Sequence, residues 1–152
     1  MSTKDIIYTN ADGLDLALDI HMPDSIENPP LVVYVHGGAW QFGTKNSKMP
    51  TEFVDYGFAL ASVDFRQADQ AQFPAQIHDI KAAVRFLRAN ANAFGVDTSK
   101  IAIAGNSSGG HLAALAGVTN GHVGLEGRVG DYLNTSSDIQ AILSYFGAYD
   151  LG

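Results

Sequence analysis

Ile101-Ala102-Ile103-Ala104-Gly105-Asn106-Ser107-Ser108-Gly109-Gly110-His111-Leu112, with Ala113-Ala114-Leu115-Ala116 after it, is the stretch that decides the fold. Residues 101–104 form a short continuous apolar run of the kind that makes a buried strand. The alanine-rich segment that follows favours helix. Between them Gly105-Asn106-Ser107-Ser108-Gly109 fits the pattern G-x-S-x-G. In a sharp strand-to-helix turn the central Ser stands above the sheet on strained backbone, and small residues two before and two after leave it room. The helix N-terminus then directs backbone N–H groups toward a reacting carbonyl. The plain alternative is a glycine-rich turn that only packs a helix on a strand. A phosphate loop is the sharper rival, because Gly105 and Gly110 have the spacing G-x-x-x-x-G, but the next residue is His111 where phosphate binding needs Lys.

Upstream, residues 31–35 form another continuous apolar run, and His36-Gly37-Gly38-Ala39-Trp40 follows directly. Such a loop supplies backbone N–H donors to an oxyanion hole, and glycine lets the backbone come close to a substrate oxygen. Alone it is only a turn. Paired with the serine turn, each at the C-terminal end of its own buried strand, it points to a serine hydrolase, since ligands of open α/β sheets bind outside those ends.

The rest of the chain fits around these two strands. Residues 14–21 alternate, with Leu14, Leu16, Leu18 and Ile20 on one face, and Asn10-Ala11-Asp12-Gly13 is turn chemistry, so residues 5–9 should pair with 14–21 as an antiparallel hairpin. Residues 58–63 and 139–143 are further apolar runs, as parallel strands covered on both faces require. A helix should begin at Pro74, with Ile77, Ile80, Val84 and Leu87 on one face before Gly95, and a shorter one is expected over residues 50–56. The expected architecture is an α/β, mostly parallel sheet with an N-terminal antiparallel hairpin.

Composition narrows the function classes. The chain has 152 residues, 46% hydrophobic, and its 16 acidic against 9 basic residues give a formal charge of −7. That balance argues against nucleic acid and anionic membrane as partners. With no cysteine, disulfides, thiolate metal sites and a Cys nucleophile are excluded. No His/Asp/Glu cluster has metal-ligand spacing, so no metal and no cofactor is expected. The N-terminus reaches Asp5 before any apolar run, which reads as a chain without a signal peptide and so as cytoplasmic.

Taken together, these segments resemble the carboxylesterase/lipase branch of the α/β-hydrolase superfamily that carries HGG-type loops, including hormone-sensitive-lipase-like and BD-FAE-like esterases. The resemblance also covers Val63-Asp64-Phe65-Arg66, the segment Phe73-Pro74-Ala75-Gln76-Ile77-His78-Asp79, and Phe146-Gly147-Ala148-Tyr149-Asp150-Leu151. It implies an α/β-hydrolase fold in which Ser107 attacks an ester carbonyl. It implies that the N–H groups of Gly38, Ala39 and Ser108 hold the oxyanion while Gly37 sets the turn. Ala39 departs from the pattern, since many relatives have a third Gly there, yet it keeps its N–H. The family's chain order is Ser, acid, His. After Ser107 only His111 and His122 occur, and Asp150 lies one strand earlier than the family's acid. The expectation is therefore the N-terminal part of a single hydrolase domain, residues 1–152, with the C-terminal strands, acid and His absent.

Other residues carry weaker signals. His36 reads as holding its turn by hydrogen bonding, and His111, one helical turn past Ser107, as packing. Asp64, Arg66 and Asp79 read as a structural ion-pair set. Trp40 and Phe42 are candidates to line the substrate pocket. Residues 119–138 read as a surface loop. The function expected is hydrolysis of small carboxylic esters, with an arylformamidase-type amidase and a non-catalytic hydrolase-like binding domain as alternatives. The missing half of the fold is the expected partner, and a sheet edge left exposed would favour self-association.

Overall fold

In chain order, a computed structural model, describing residues 1–151, contains β1 (Ser2–Ala11), β2 (Leu14–His21), β3 (Pro30–Val35), α1 (Glu52–Asp55), β4 (Ala59–Val63), α2 (Ala75–Ala89), α3 (Ala91–Phe94), β5 (Asp97–Asn106), α4 (Ser108–Val118), α5 (Val123–Glu126) and β6 (Ala141–Tyr145). The six strands form one mixed sheet in the order β1-β2-β4-β3-β5-β6. The β1–β2 and β2–β4 pairs are antiparallel, and the β4–β3, β3–β5 and β5–β6 pairs are parallel.

The continuous apolar runs have the cause assigned to them. Leu31, Val33 and Val35 of β3 face the main core with Ile77, Ile80, Val84 and Leu87 of α2 and Leu112, Ala113 and Ala116 of α4. The alternate residues Val32 and Tyr34 face the other side, with Leu60, Ala104 and the α1 residues Phe53 and Val54. A strand covered on both faces cannot alternate in polarity. Among the described residues, no helix is long and apolar enough to cross a membrane.

Beyond shifts of a few residues at other element ends, such as β1 starting at Ser2 rather than residue 5, three features differ from the sequence expectation. β6 begins at Ala141, not 139, because the Ile139 N–H donates to Asn120 Oδ1 at 3.0 Å and its side chain is buried in the core ahead of the ladder. Apolarity there reported burial rather than pairing. β5 begins at Asp97, because Pro30 pairs with it across an irregularity before the regular register starts at Leu31 and Ile101. Residues 119–138 are not merely a surface loop. They contain α5, whose Glu126 accepts from the fully buried Lys81 at 2.6 Å and from Arg85 at 3.2 Å, docking the segment on α2.

Candidate active site

The chain runs from β3 out to β4 on one side and returns to β5 on the other, so the crevice above β3 and β5 is the sheet's topological switch point, where α/β sheets bind ligands. Val35 pairs with Gly105 in parallel register. The His36 loop and the Ser107 turn therefore leave the same edge of the sheet from adjacent strands, at the same height.

Ser107 has φ 51° and ψ −122°, outside the regions an L-residue prefers. The turn closes tightly against β3. A Cβ at Gly109 would lie 2.1 Å from the Val35 carbonyl oxygen, so glycine is required there by backbone approach. The Ser107 N–H donates to the Tyr145 carbonyl at 3.0 Å, which fixes the turn to the end of β6. Ser108 is the first residue of α4, and the N–H groups of a helix's first turn lack intrahelical acceptors. Its hydroxyl is buried, with the residue only 1% exposed, so Ser107 rather than Ser108 presents its side chain.

The loop after β3 is a tight turn in which the Gly38 carbonyl accepts from the N–H groups of Gln41 and Phe42, both at 2.9 Å. Gly38 has φ 125°, and a Cβ there would lie 2.2 Å from the Phe42 oxygen. Ala39 and Trp40 also have positive φ, 51° and 59°. His36 is buried beneath the loop, its Nδ1 2.7 Å from the Gly37 carbonyl and its ring stacked on Phe65 at 4.6 Å. Burial lowers its pKa, opposed by the Gly37 carbonyl contact and the Asp64 charge, and its Nδ1 is occupied in holding the turn.

An apolar cavity of about 550 Å³ opens beside the loop, lined among others by Ala39, Trp40, Phe73, His111, Leu112 and Leu115. Trp40 lines this cavity. Phe42 does not: it is 67% exposed and borders a separate depression with Gln41, Ala68 and Asp69. A tight turn around Gly38 carries the side chain after Gln41 away from the cavity. His111 lines the cavity and packs edge-on against Trp40 at 5.4 Å. Burial lowers its pKa as well.

The ion-pair set also separates into two. Arg66 grips Asp79 through Nε at 2.9 Å and Nη2 at 2.7 Å, and reaches Asp12 as well. Asp64 stands apart and accepts the Lys45 N–H at 2.7 Å. Lys45, buried, pairs with Asp19 at 2.8 Å and Asp5 at 2.7 Å, tying the far part of the loop to the hairpin. The sequence reading missed Lys45, Tyr34 and Asn106; a polar residue next to the nucleophile and a Lys two residues after Gly43 were the available signals. Among the described residues, no three His, Asp or Glu side chains gather as metal ligands.

The BD-FAE family profile matches residues 18–152. Esterase LipC of Mycobacterium tuberculosis is 36% identical over 124 residues, which cover 80% of this chain and 30% of LipC. Esterase LipQ of the same organism is 33% identical over 98% of this chain and 36% of its own. A bifunctional GH43-CE protein of Bacteroides eggerthii superposes with a TM-score of 0.91 at 42% identity, over 99% of this chain and 21% of that one. A truncated form of a carbohydrate esterase from gut microbiota gives 0.91 at 36% identity, over 99% of this chain and 58% of that one. The chain thus spans about a third of the length of the curated relatives it matches. It belongs to the BD-FAE family, within the α/β-hydrolase superfamily.

Proposed function

We propose that this chain carries the nucleophile and the oxyanion hole of a serine hydrolase that cleaves small carboxylic esters through an acyl-enzyme on Ser107. The carrying observation is the pairing of Val35 with Gly105, which sets the His-Gly-Gly loop and the strained serine side by side. Ser107 Oγ attacks the ester carbonyl as a general base takes its proton. The N–H groups of Gly38, Ala39 and Ser108 hold the oxyanion, and Gly37 sets the turn. The tetrahedral intermediate collapses, the alcohol leaves with the proton from the base, and water repeats the cycle to release the acid. The cavity beside Trp40 receives an apolar part of the ester.

Among the described residues no histidine hydrogen-bonds to Ser107 Oγ, and His36 is buried under its loop with Nδ1 engaged by the Gly37 carbonyl. The base and its orienting acid therefore come, in this reading, from polypeptide outside residues 1–152, consistent with the greater length of the relatives. An amidase of the arylformamidase type is the second reading, favoured by Trp40 lining the cavity immediately after Ala39. The test is to assay the full-length protein on p-nitrophenyl acetate and on N-formylkynurenine, with Ser107→Ala beside it. Ester turnover that is lost in Ser107→Ala supports the proposal. Preferred hydrolysis of the formamide moves the assignment to the amidase, and turnover that survives Ser107→Ala rejects both.

A further inference from the structure

The loop of residues 36–48 is tied at its start by one pair of side chains. There the Gly37 N–H donates to Asn106 Oδ1 at 3.0 Å. The same oxygen accepts the Tyr34 hydroxyl at 2.8 Å, and that hydroxyl stands 3.3 Å from the Lys48 carbonyl at the loop's end. An amide oxygen has two lone pairs, and here both are engaged. The strands dictate this meeting. Tyr34 pairs with Ala104, so Asn106, two residues further along β5, projects from the same face as Ala104. The packing is close, since a Cβ on Gly37 would lie 2.9 Å from Asn106 Nδ2.

The other ties of the loop lead elsewhere. Lys45 holds it to Asp5, Asp19 and Asp64. Gln67 Nε2 donates to the Gly43 carbonyl, and the Ala68 N–H to the Trp40 carbonyl. All of these reach the hairpin or the segment after β4. Asn106 alone, among the described side chains, hydrogen-bonds the loop to the strand that carries Ser107, and it is the residue directly before it.

We infer that Asn106 is a positioning residue that sets the spacing between the loop's N–H donors and Ser107, with Tyr34 as its brace. The inference rests on reading the loop as the oxyanion hole. Donors act on an oxyanion only within about 2.7–3.1 Å, so a loop that drifts relative to the nucleophile loses transition-state stabilisation without losing substrate contacts. The defect belongs in kcat, not in KM. Asp can accept the same two hydrogen bonds with the same shape, whereas Ala cannot.

The test uses the full-length protein with p-nitrophenyl acetate and the variants Asn106→Ala, Asn106→Asp, Tyr34→Phe and Ser107→Ala, each checked for folding by its thermal melt. Asn106→Ala should lower kcat by about 10–10²-fold with KM nearly unchanged, and Asn106→Asp should restore most of it. Tyr34→Phe should give a smaller loss, again in kcat. A folded Asn106→Ala with normal kcat overturns the inference, as does an Asp variant no better than the Ala one. If Asn106→Ala does not fold, Tyr34→Phe decides, and an unchanged kcat there overturns it. Ser107→Ala separates the failures. If it is dead while Asn106→Ala is normal, only the positioning role falls; if it stays active, the serine-hydrolase reading falls and takes this inference with it.

Discussion

Ser107 and Ala39 both sit at φ 51°, one on each side of the crevice. Non-glycine residues held there cost roughly 1–3 kcal/mol and persist only where the surroundings impose them. That makes substitutions at Ala39 informative in two directions. Ala39→Gly relieves the strain and keeps the N–H, so kcat should hold. Ala39→Pro removes the N–H and cannot adopt a positive φ, so kcat should fall by at least about 10²–10³-fold. An unchanged kcat in a folded Ala39→Pro protein would remove Ala39 from the hole. Ser108→Ala should retain much of the activity, because its hydroxyl is buried and the proposed mechanism uses only its N–H. At this scale the glycine and serine spacings were legible in the sequence, since they reflect local backbone demands. The placements of Phe42 and His111 were not, because they depend on how a turn and a helix face are aimed in space. Asn106 was invisible for a further reason: its partners Gly37 and Tyr34 lie 69 and 72 residues away.

Strands were legible where burial on both faces removes polar residues, as in β3 and β4, and shifted where burial has another cause, as at Ile139. The segment of residues 119–138 was read too blandly because its anchor is a single Glu meeting a Lys that lies 45 residues away in the chain. Burial pushes the Glu126 pKa up, but hydrogen bonds from Lys81 and Ser137 and the charges of Lys81 and Arg85 outweigh it and hold the carboxyl below its ordinary range. A lowered carboxyl pKa stabilises the fold fully above the unfolded value, about 4.3, and that contribution is lost as pH falls through the folded value. Glu126→Gln should therefore cost about 1.5–3 kcal/mol at pH 7, and the difference from wild type should shrink steadily as pH falls below the ordinary carboxyl range. Denaturant titrations at pH 7 and over an acid series check both. A difference that stays constant across that series would mean that charge is not what docks α5.

At the scale of the whole sheet, the last strand among the described residues is β6, which pairs there with β5 alone. Ile142 and Tyr145 of β6 are 39% and 40% exposed, and Phe146, Tyr149 and Leu151 beyond it more so. An apolar strand with an open edge is a template for another chain. Residues 1–152 expressed alone should therefore self-associate in light scattering and show no serine-dependent turnover, because losing the base leaves at most about 10³–10⁴-fold catalysis over water even in an intact site. A polypeptide carrying the continuation of the fold should rescue solubility and activity together. A monodisperse monomer with turnover that depends on Ser107 would show that the base lies among these residues.

The central claim is that Ser107 becomes covalently acylated. It is tested most directly by treating the full-length protein with a fluorophosphonate, digesting it, and mapping the added mass by tandem mass spectrometry. The account predicts one modified serine, Ser107, with labelling absent in Ser107→Ala and retained in Ser108→Ala. Label on another residue, or undiminished label in Ser107→Ala, would contradict it.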